Sequence, residues 1–400
     1  MQNKSIINSI IVSTLLIMPL CAQKFYPDDP LEKDPTPMHT VDAEQRGFNS
    51  VLEYFTATFT TPGERHPEIG VIPAGGINTL GNGPDNPWFT NRHGTKRMSP
   101  AELEAGLDRP PPSTDEPWEV LTVKPHGERP GMLIRDSKND YYLLRFDPRK
   151  HLELATGAEM VTSKLLHAIG YFVAKNHIVY FERSQLEDSE EGEDISSAGI
   201  ARDLEPGDID RFLEEVARDP QKGYRAVAMG LGALQGYKLL GPFQVFGQRS
   251  DDPNDIVPHE HRRDLRGLSV ILSWVNHNRF QATSTLDVLG QFNGVQFIRH
   301  YLIDFVATLG SGGDRPKPAR EGNEPLYDLK RTGMNLVSFG VYTPAWQRAK
   351  YPKIRSVGHF ESTVFDPELW VGDQDIAAFA NRLPDDEYWA AKQVMAFTDD

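Results

Sequence analysis

Asp304 closes a strongly apolar segment, VQFIRHYLIDF (Val295 to Phe305), and the glycine-rich run VATLGSGG follows it. A carboxylate at the end of a buried strand with a glycine-rich turn behind it suits a magnesium–phosphate site, because a hard cation takes oxygen ligands. Upstream, NHNRFQATSTLD (Asn276 to Asp287) reads as a polar loop joining a helical pattern to that strand. Two other chemistries fail on spacing. His259 and His261 flank Glu260, but ligands two apart do not share a helix face, so the three are expected to supply helix-start polarity and an acid pair with Arg262 or Arg263. No Gly-x-Ser-x-Gly elbow is present, which leaves a Ser-His-Asp hydrolase unsupported.

The elements that must position Asp304 can be read from periodicity. WEVLTVK, beginning at Trp118, and GMLIRDSKNDYYLLRF predict three short strands forming a β-meander over 118–146. Leu154, Ala158, Val161, Leu165 and Ile169 make one helical face, stopped by Gly170, and Ile178 to Glu182 reads as another strand. The run EDSEEGED, Glu187 to Asp194, reads as a solvated acidic loop and as the boundary between two lobes. Beyond it, Asp208 to Arg218 forms a short amphipathic helix, Arg225 to Leu240 has no assignable state, and His261 to Trp274 is a buried helix. Residues 23–115 are rich in Pro, Asp, Asn and Gly and are expected to be an irregular arm, with a capped helix start at Ser99, Pro100 and Glu102. Trp88 and Phe89 are expected to pack that arm onto a domain surface.

Composition narrows the classes. The 400 residues carry 42 Lys plus Arg against 57 Asp plus Glu, a net charge of −15, which argues against nucleic acid as a partner. Residues 1–22 have the layout of a secretory signal peptide: Lys4, an apolar run from Ile6 to Leu20, then small residues. That predicts an exported protein, periplasmic or extracellular, with no transmembrane span in the mature chain. Cleavage after Ala22 removes the single cysteine, Cys21, so no intrachain disulfide forms; Leu20 suits a lipoprotein signal poorly, which disfavours a lipid anchor at Cys21. The chain stops at AFTDD after what reads as a helix and a fresh start signal, as a piece of a longer protein would.

The phrases LLRFDP, TGAE, DDPNDIVPHEHRR, NHNRFQATSTLD and RHYLIDF together resemble a family of exported bacterial proteins, and through it the protein-kinase-like superfamily, in particular its HipA-like branch. The resemblance spans about residues 26–400. It implies an α+β, two-lobed kinase-like fold: a small N-lobe of β-meander and helix (116–186), a mainly helical C-lobe (187–400), and the irregular arm in front. It also implies ATP and magnesium as cofactors, weakly held or lost.

By resemblance, Arg145 grips the nucleotide phosphates and is held by Glu159, Asp304 binds metal, and Gly127 and Gly131 form the turn over the phosphates. The catalytic loop places Arg279 where the family pattern has an Asp, and Ser284 where it has a metal-binding Asn. Val306 replaces the Gly after Asp-Phe. An Arg in the base position is a permanent cation and cannot accept the acceptor hydroxyl's proton. Asn278 and Asp287 stand nearby in sequence as substitutes, and Arg279 is itself a candidate anion ligand. The expectation is a pseudokinase that binds a small-molecule ligand or a protein; the alternatives are an active magnesium-dependent phosphotransferase and an envelope structural or interaction protein.

Overall fold

In the computed structural model the described residues are 37–46, 63–78, 81–107, 110–124, 130–195, 201–230, 237–243, 246–318, 320–323, 365–373 and 376–398, with isolated positions from 333 to 360. Residues 1–22, where an export signal is expected, and Gly127 lie outside them.

Alternation in WEVLTVK turns Trp118, Val120 and Val123 to one side, and these open β1 (Trp118–Lys124). It pairs antiparallel with β2 (Gly131–Arg135), which pairs with β3 (Tyr141–Phe146), the meander read from sequence. The helix α1 (Pro100–Ala105) carries the expected capping box of Ser99 and Glu102. Helix α2 (Leu154–Ile169) follows β3, and a short β4 (Phe172–Val173) leads into β5 (Lys175–Phe181).

The acidic run is a correction. Leu186–Ile195 forms β6, parallel to β1, with its carboxylates mostly outward, so the expected boundary at 187 falls inside a strand. The physical reason is that β1 offers an unpaired edge, and pairing there overrides the local polarity. The sheet then takes in β7 (Ala201–Asp203), β8 (Arg218–Asp219) and β9 (Gly223–Gly230), in the order β5-β9-β3-β2-β1-β6-β7 with β8 beside β9. β9, from the segment left without a state, is buried along nearly its whole length between β3 and β5. Helix α3 (Asp208–Glu215) covers one face of the sheet through Ile209, Phe212 and Leu213, while Met160 of α2 packs with Val227 and Met229 on the other.

The second half is not mainly helical. Among the described residues, β10 (Lys238–Gly241), β11 (Thr285–Phe292) and β12 (Val295–Leu302) form a second sheet with β4, in the order β10-β11-β12-β4. Beside it, α4 (Arg263–Trp274), α5 (Ala377–Ala380) and α6 (Pro384–Val394) share a core with the end of α2. The architecture is therefore α+β, with two sheets and six helices among the described residues. Trp88 and Phe89 go deeper than a surface contact: both are core residues, and Phe89 lies so close to Gly170 that a Cβ there would meet its ring at 2.5 Å. None of the helices among the described residues is long and apolar enough to cross a membrane.

Candidate functional site

The text of RFDP and TGAE is explained by how α2 is fastened. Asp147, directly after β3, accepts hydrogen bonds from the backbone N–H groups of Glu153 (2.8 Å) and Thr156 (2.9 Å) and from the Thr156 hydroxyl (2.8 Å). Arg225 of β9 offsets its charge at 2.8 Å. The first turn of α2 is thus fixed to the sheet, which aims the next turn's Glu159 inward.

Glu159 is fully buried. Its Oε1 accepts from Asn176 Nδ2 at 2.9 Å, and its Oε2 accepts from the backbone N–H of Phe305. Burial first, then the charge of Asp304, push its carboxyl up to about 8, with Arg145 opposing, so at neutral pH Glu159 carries a proton. Asp304 is buried in the left-handed region at φ 71°, where a non-glycine residue costs roughly 1–2 kcal/mol. Strain of this kind persists where the surroundings hold a group in a required place.

Arg145, on the less buried face of β3, brings Nη2 to 3.7 Å from Asp304 Oδ2. The expected Arg145–Glu159 ion pair is therefore replaced by Arg145–Asp304, because Glu159 is engaged by Asn176 and the Phe305 amide. Gly131 is a strand residue opposite Arg145 and not part of a turn. A Cβ on it would fall 2.8 Å from Arg145 Nη1, so the glycine makes room for the guanidinium.

Ser284 ends a 3₁₀ turn (Ala282–Ser284) and accepts at its carbonyl from Ile303 N–H, 2.9 Å, which places it beside the residue preceding Asp304. Its hydroxyl is buried and without a hydrogen-bond partner among the described residues. Arg145 and Asp304, from separate stretches of sequence, thus meet through their side chains, while Glu159 and Ser284 bond the backbone N–H groups of the residues flanking Asp304, Phe305 and Ile303. No group of three or more His, Cys, Asp or Glu among the described residues is placed to hold a metal ion.

Arg279 belongs to a different cluster. It donates from Nη2 to both carboxylate oxygens of Glu321, each 2.9 Å, and stands 3.9 Å from Asp373. Its charge is neutralised there, which corrects its expected role as an anion ligand. The two substitutes named from sequence are also occupied. Asn278 binds Lys317 Nζ and donates to Asp373 Oδ1 at 2.8 Å, while Asp287 lies on β11 between His300 (2.6 Å) and Arg249 (3.2 Å). Burial pushes the Lys317 amine down to about 7 and raises the Asp373 carboxyl.

Asn176, Lys317, Glu321 and Asp373 were not visible as site residues in the sequence, because each reaches its partner from 17 to 95 positions away. The HEH run forms a buried 3₁₀ turn without ligand geometry. Its expected acid pair is a correction: Glu260 accepts backbone N–H groups from Glu64 and Gly247, Arg262 pairs with Asp264, and Arg263 with Asp386.

Comparison of the chain with protein-family models, with curated proteins and with solved structures returns no match.

Proposed function

We propose that this protein is an exported, kinase-like binding module that holds a magnesium–nucleotide phosphate unit without transferring phosphate. The observation that carries this is the approach of Arg145 to Asp304 at 3.7 Å, with Ser284 bonded through its carbonyl to the neighbouring Ile303 N–H, while Arg279, in the base position, is engaged in a separate cluster through Nη2 by both oxygens of Glu321. Arg145 would take the phosphate oxygens, and Asp304 with the Ser284 hydroxyl would take the cation. Glu159, protonated and locked to Asn176, keeps the helix and the Asp304 turn in register and adds no second negative charge. Magnesium would supply charge neutralisation of the phosphates. The export signal and the resemblance of RFDP, TGAE and LIDF support the reading on the sequence side.

One feature favours the active alternative. Asp373 is held next to position 279 by two bonds to Asn278, its backbone N–H to the Asn278 carbonyl and its Oδ1 to the amide, and it is a carboxylate with an upward-shifted proton affinity. Incubation with γ-labelled ATP, magnesium and a panel of acceptor proteins separates the two. The expected result is nucleotide binding with no label transferred. Transfer by the wild type that disappears in Asp373→Asn would establish the active enzyme and overturn the binding-module reading.

A further inference from the structure

Cations are in the minority in this chain, with a net charge of −15, yet several collect behind α2. A cavity of about 110 Å³ is lined by Arg92, His167, Lys175 and Arg299, with Phe172 and Tyr301 among its apolar walls, and no carboxylate lines it among the described residues. Arg299, on β12, is held by aromatic faces: its guanidinium carbon lies 3.8 Å from the Phe292 ring centre and 4.4 Å from that of Phe172. Stacking of this kind fixes a cation in place without a carboxylate counter-ion. Its Nε is buried without a hydrogen-bond partner among the described residues.

Arg92 enters from the arm, 5.5 Å from the Phe172 ring centre on its guanidinium carbon, and donates Nη1 to the carbonyls of His167 (2.7 Å) and Tyr171 (3.1 Å). Those two bonds orient the guanidinium and leave Nη2 and Nε with no protein partner among the described residues. Burial first, then the charge of Arg299, lower Arg92 to about 10, with the Asp85 carboxylate opposing. His167 adds a buried ring nitrogen, Nδ1, with no partner among the described residues, on a ring that burial and Arg92 keep neutral. Two guanidiniums that line one cavity, with an imidazole nitrogen beside them left without a partner among the described residues, suit one multivalent anion. The volume is well below the roughly 300–1,000 Å³ of pockets for drug-sized ligands, so a nucleotide does not fit.

We propose that this cavity is a binding site for a single phosphate-type oxyanion, held by Arg92 and Arg299. It is separate from the Arg145–Asp304 site, standing two turns further along α2, about 12 Å from Glu159 along the helix axis. The two sites are adjacent through β5: Lys175 lines the cavity and Asn176 holds Glu159.

The test is a calorimetric titration of the chain from Gln23 onward with inorganic phosphate at fixed ionic strength, in an Arg145→Met background that removes phosphate binding at the other site. One saturable site is expected. Arg299→Gln should weaken it at least tenfold and Arg299→Lys only a few-fold, since charge is retained and the planar fork lost. Neither change should alter stabilisation of the Arg145-containing chain by magnesium–ATP, so failure of either reading is seen separately. Co-sedimentation with phosphatidic acid vesicles but not phosphatidylcholine vesicles, lost in Arg299→Gln, would assign the oxyanion to a lipid headgroup; phosphate binding without vesicle binding would assign it to the free ion. Absence of phosphate binding, or equal affinity in Arg299→Gln, overturns the proposal.

Discussion

Glu159→Gln is expected to remove a pH dependence of stability that the wild type shows between about pH 4.5 and pH 8. The folded chain holds the Glu159 proton up to about 8, whereas the unfolded chain releases it near the ordinary carboxyl value. In that window the folded state binds the extra proton, so this residue's contribution is fully present below pH 4.5 and is lost as pH rises through 8. The shift corresponds to on the order of 5 kcal/mol. Gln keeps the shape and cannot ionise. Its amide nitrogen would face the Asn176 Nδ2 donor, but Asn176 Oδ1 has no partner among the described residues, so a flip of that amide restores the bond. Urea midpoints at pH 5, 7 and 9 should fall in the wild type relative to the variant. Parallel profiles would show that Glu159 is ionised throughout.

Asp386→Ala should cost roughly 3–5 kcal/mol, the scale for removing one partner of a buried pair. Asp386, in the first turn of α6, is fully buried and accepts from Arg263 Nε at 3.0 Å and from Arg266 Nη1 at 3.4 Å. Both guanidiniums sit on α4, and Arg266 also bonds the carbonyls of Glu260 and Ile72. Removing the carboxylate therefore leaves two buried cations without their counter-ion and loosens α6 and the arm together. Denaturant unfolding checks this directly, and a loss below about 1 kcal/mol would mean that water reaches these groups.

Much of the framework was legible because it rests on local signals. The meander follows from alternation, and α1 follows from Ser99 and Glu102. Helix α2 was legible as a helix, but its inward face was not. Val161, counted on the apolar stripe, is exposed, while Glu159, Thr162 and Ser163 are buried. Apolar periodicity is blind to a face whose buried positions are polar, and here those positions carry the site. β9 escaped because a strand buried on both sides shows no alternation and Ala-rich text has weak strand propensity. β6 escaped because its partner β1 is about 70 residues distant, as in the pair Glu119–Glu187.

The site was legible in part for the same reason. Arg145, Glu159, Ser284 and Asp304 lie in phrases that a resemblance could carry, and the fold brings them together. The roles within the group were not legible. Asn176 and the Phe305 amide take Glu159 away from Arg145, and Glu321 engages Arg279; both depend on residues whose proximity is created by the fold.

The melting temperature of the chain from Gln23 onward with ATP or ADP, each with and without magnesium or manganese, tests the proposed nucleotide site. A site built from Arg145, Ser284 and Asp304 predicts metal-dependent stabilisation, about 2 °C at ten times the dissociation constant for a chain of this size, and its loss in Asp304→Ala. No shift with any nucleotide and metal, or an equal shift in Asp304→Ala, would contradict it.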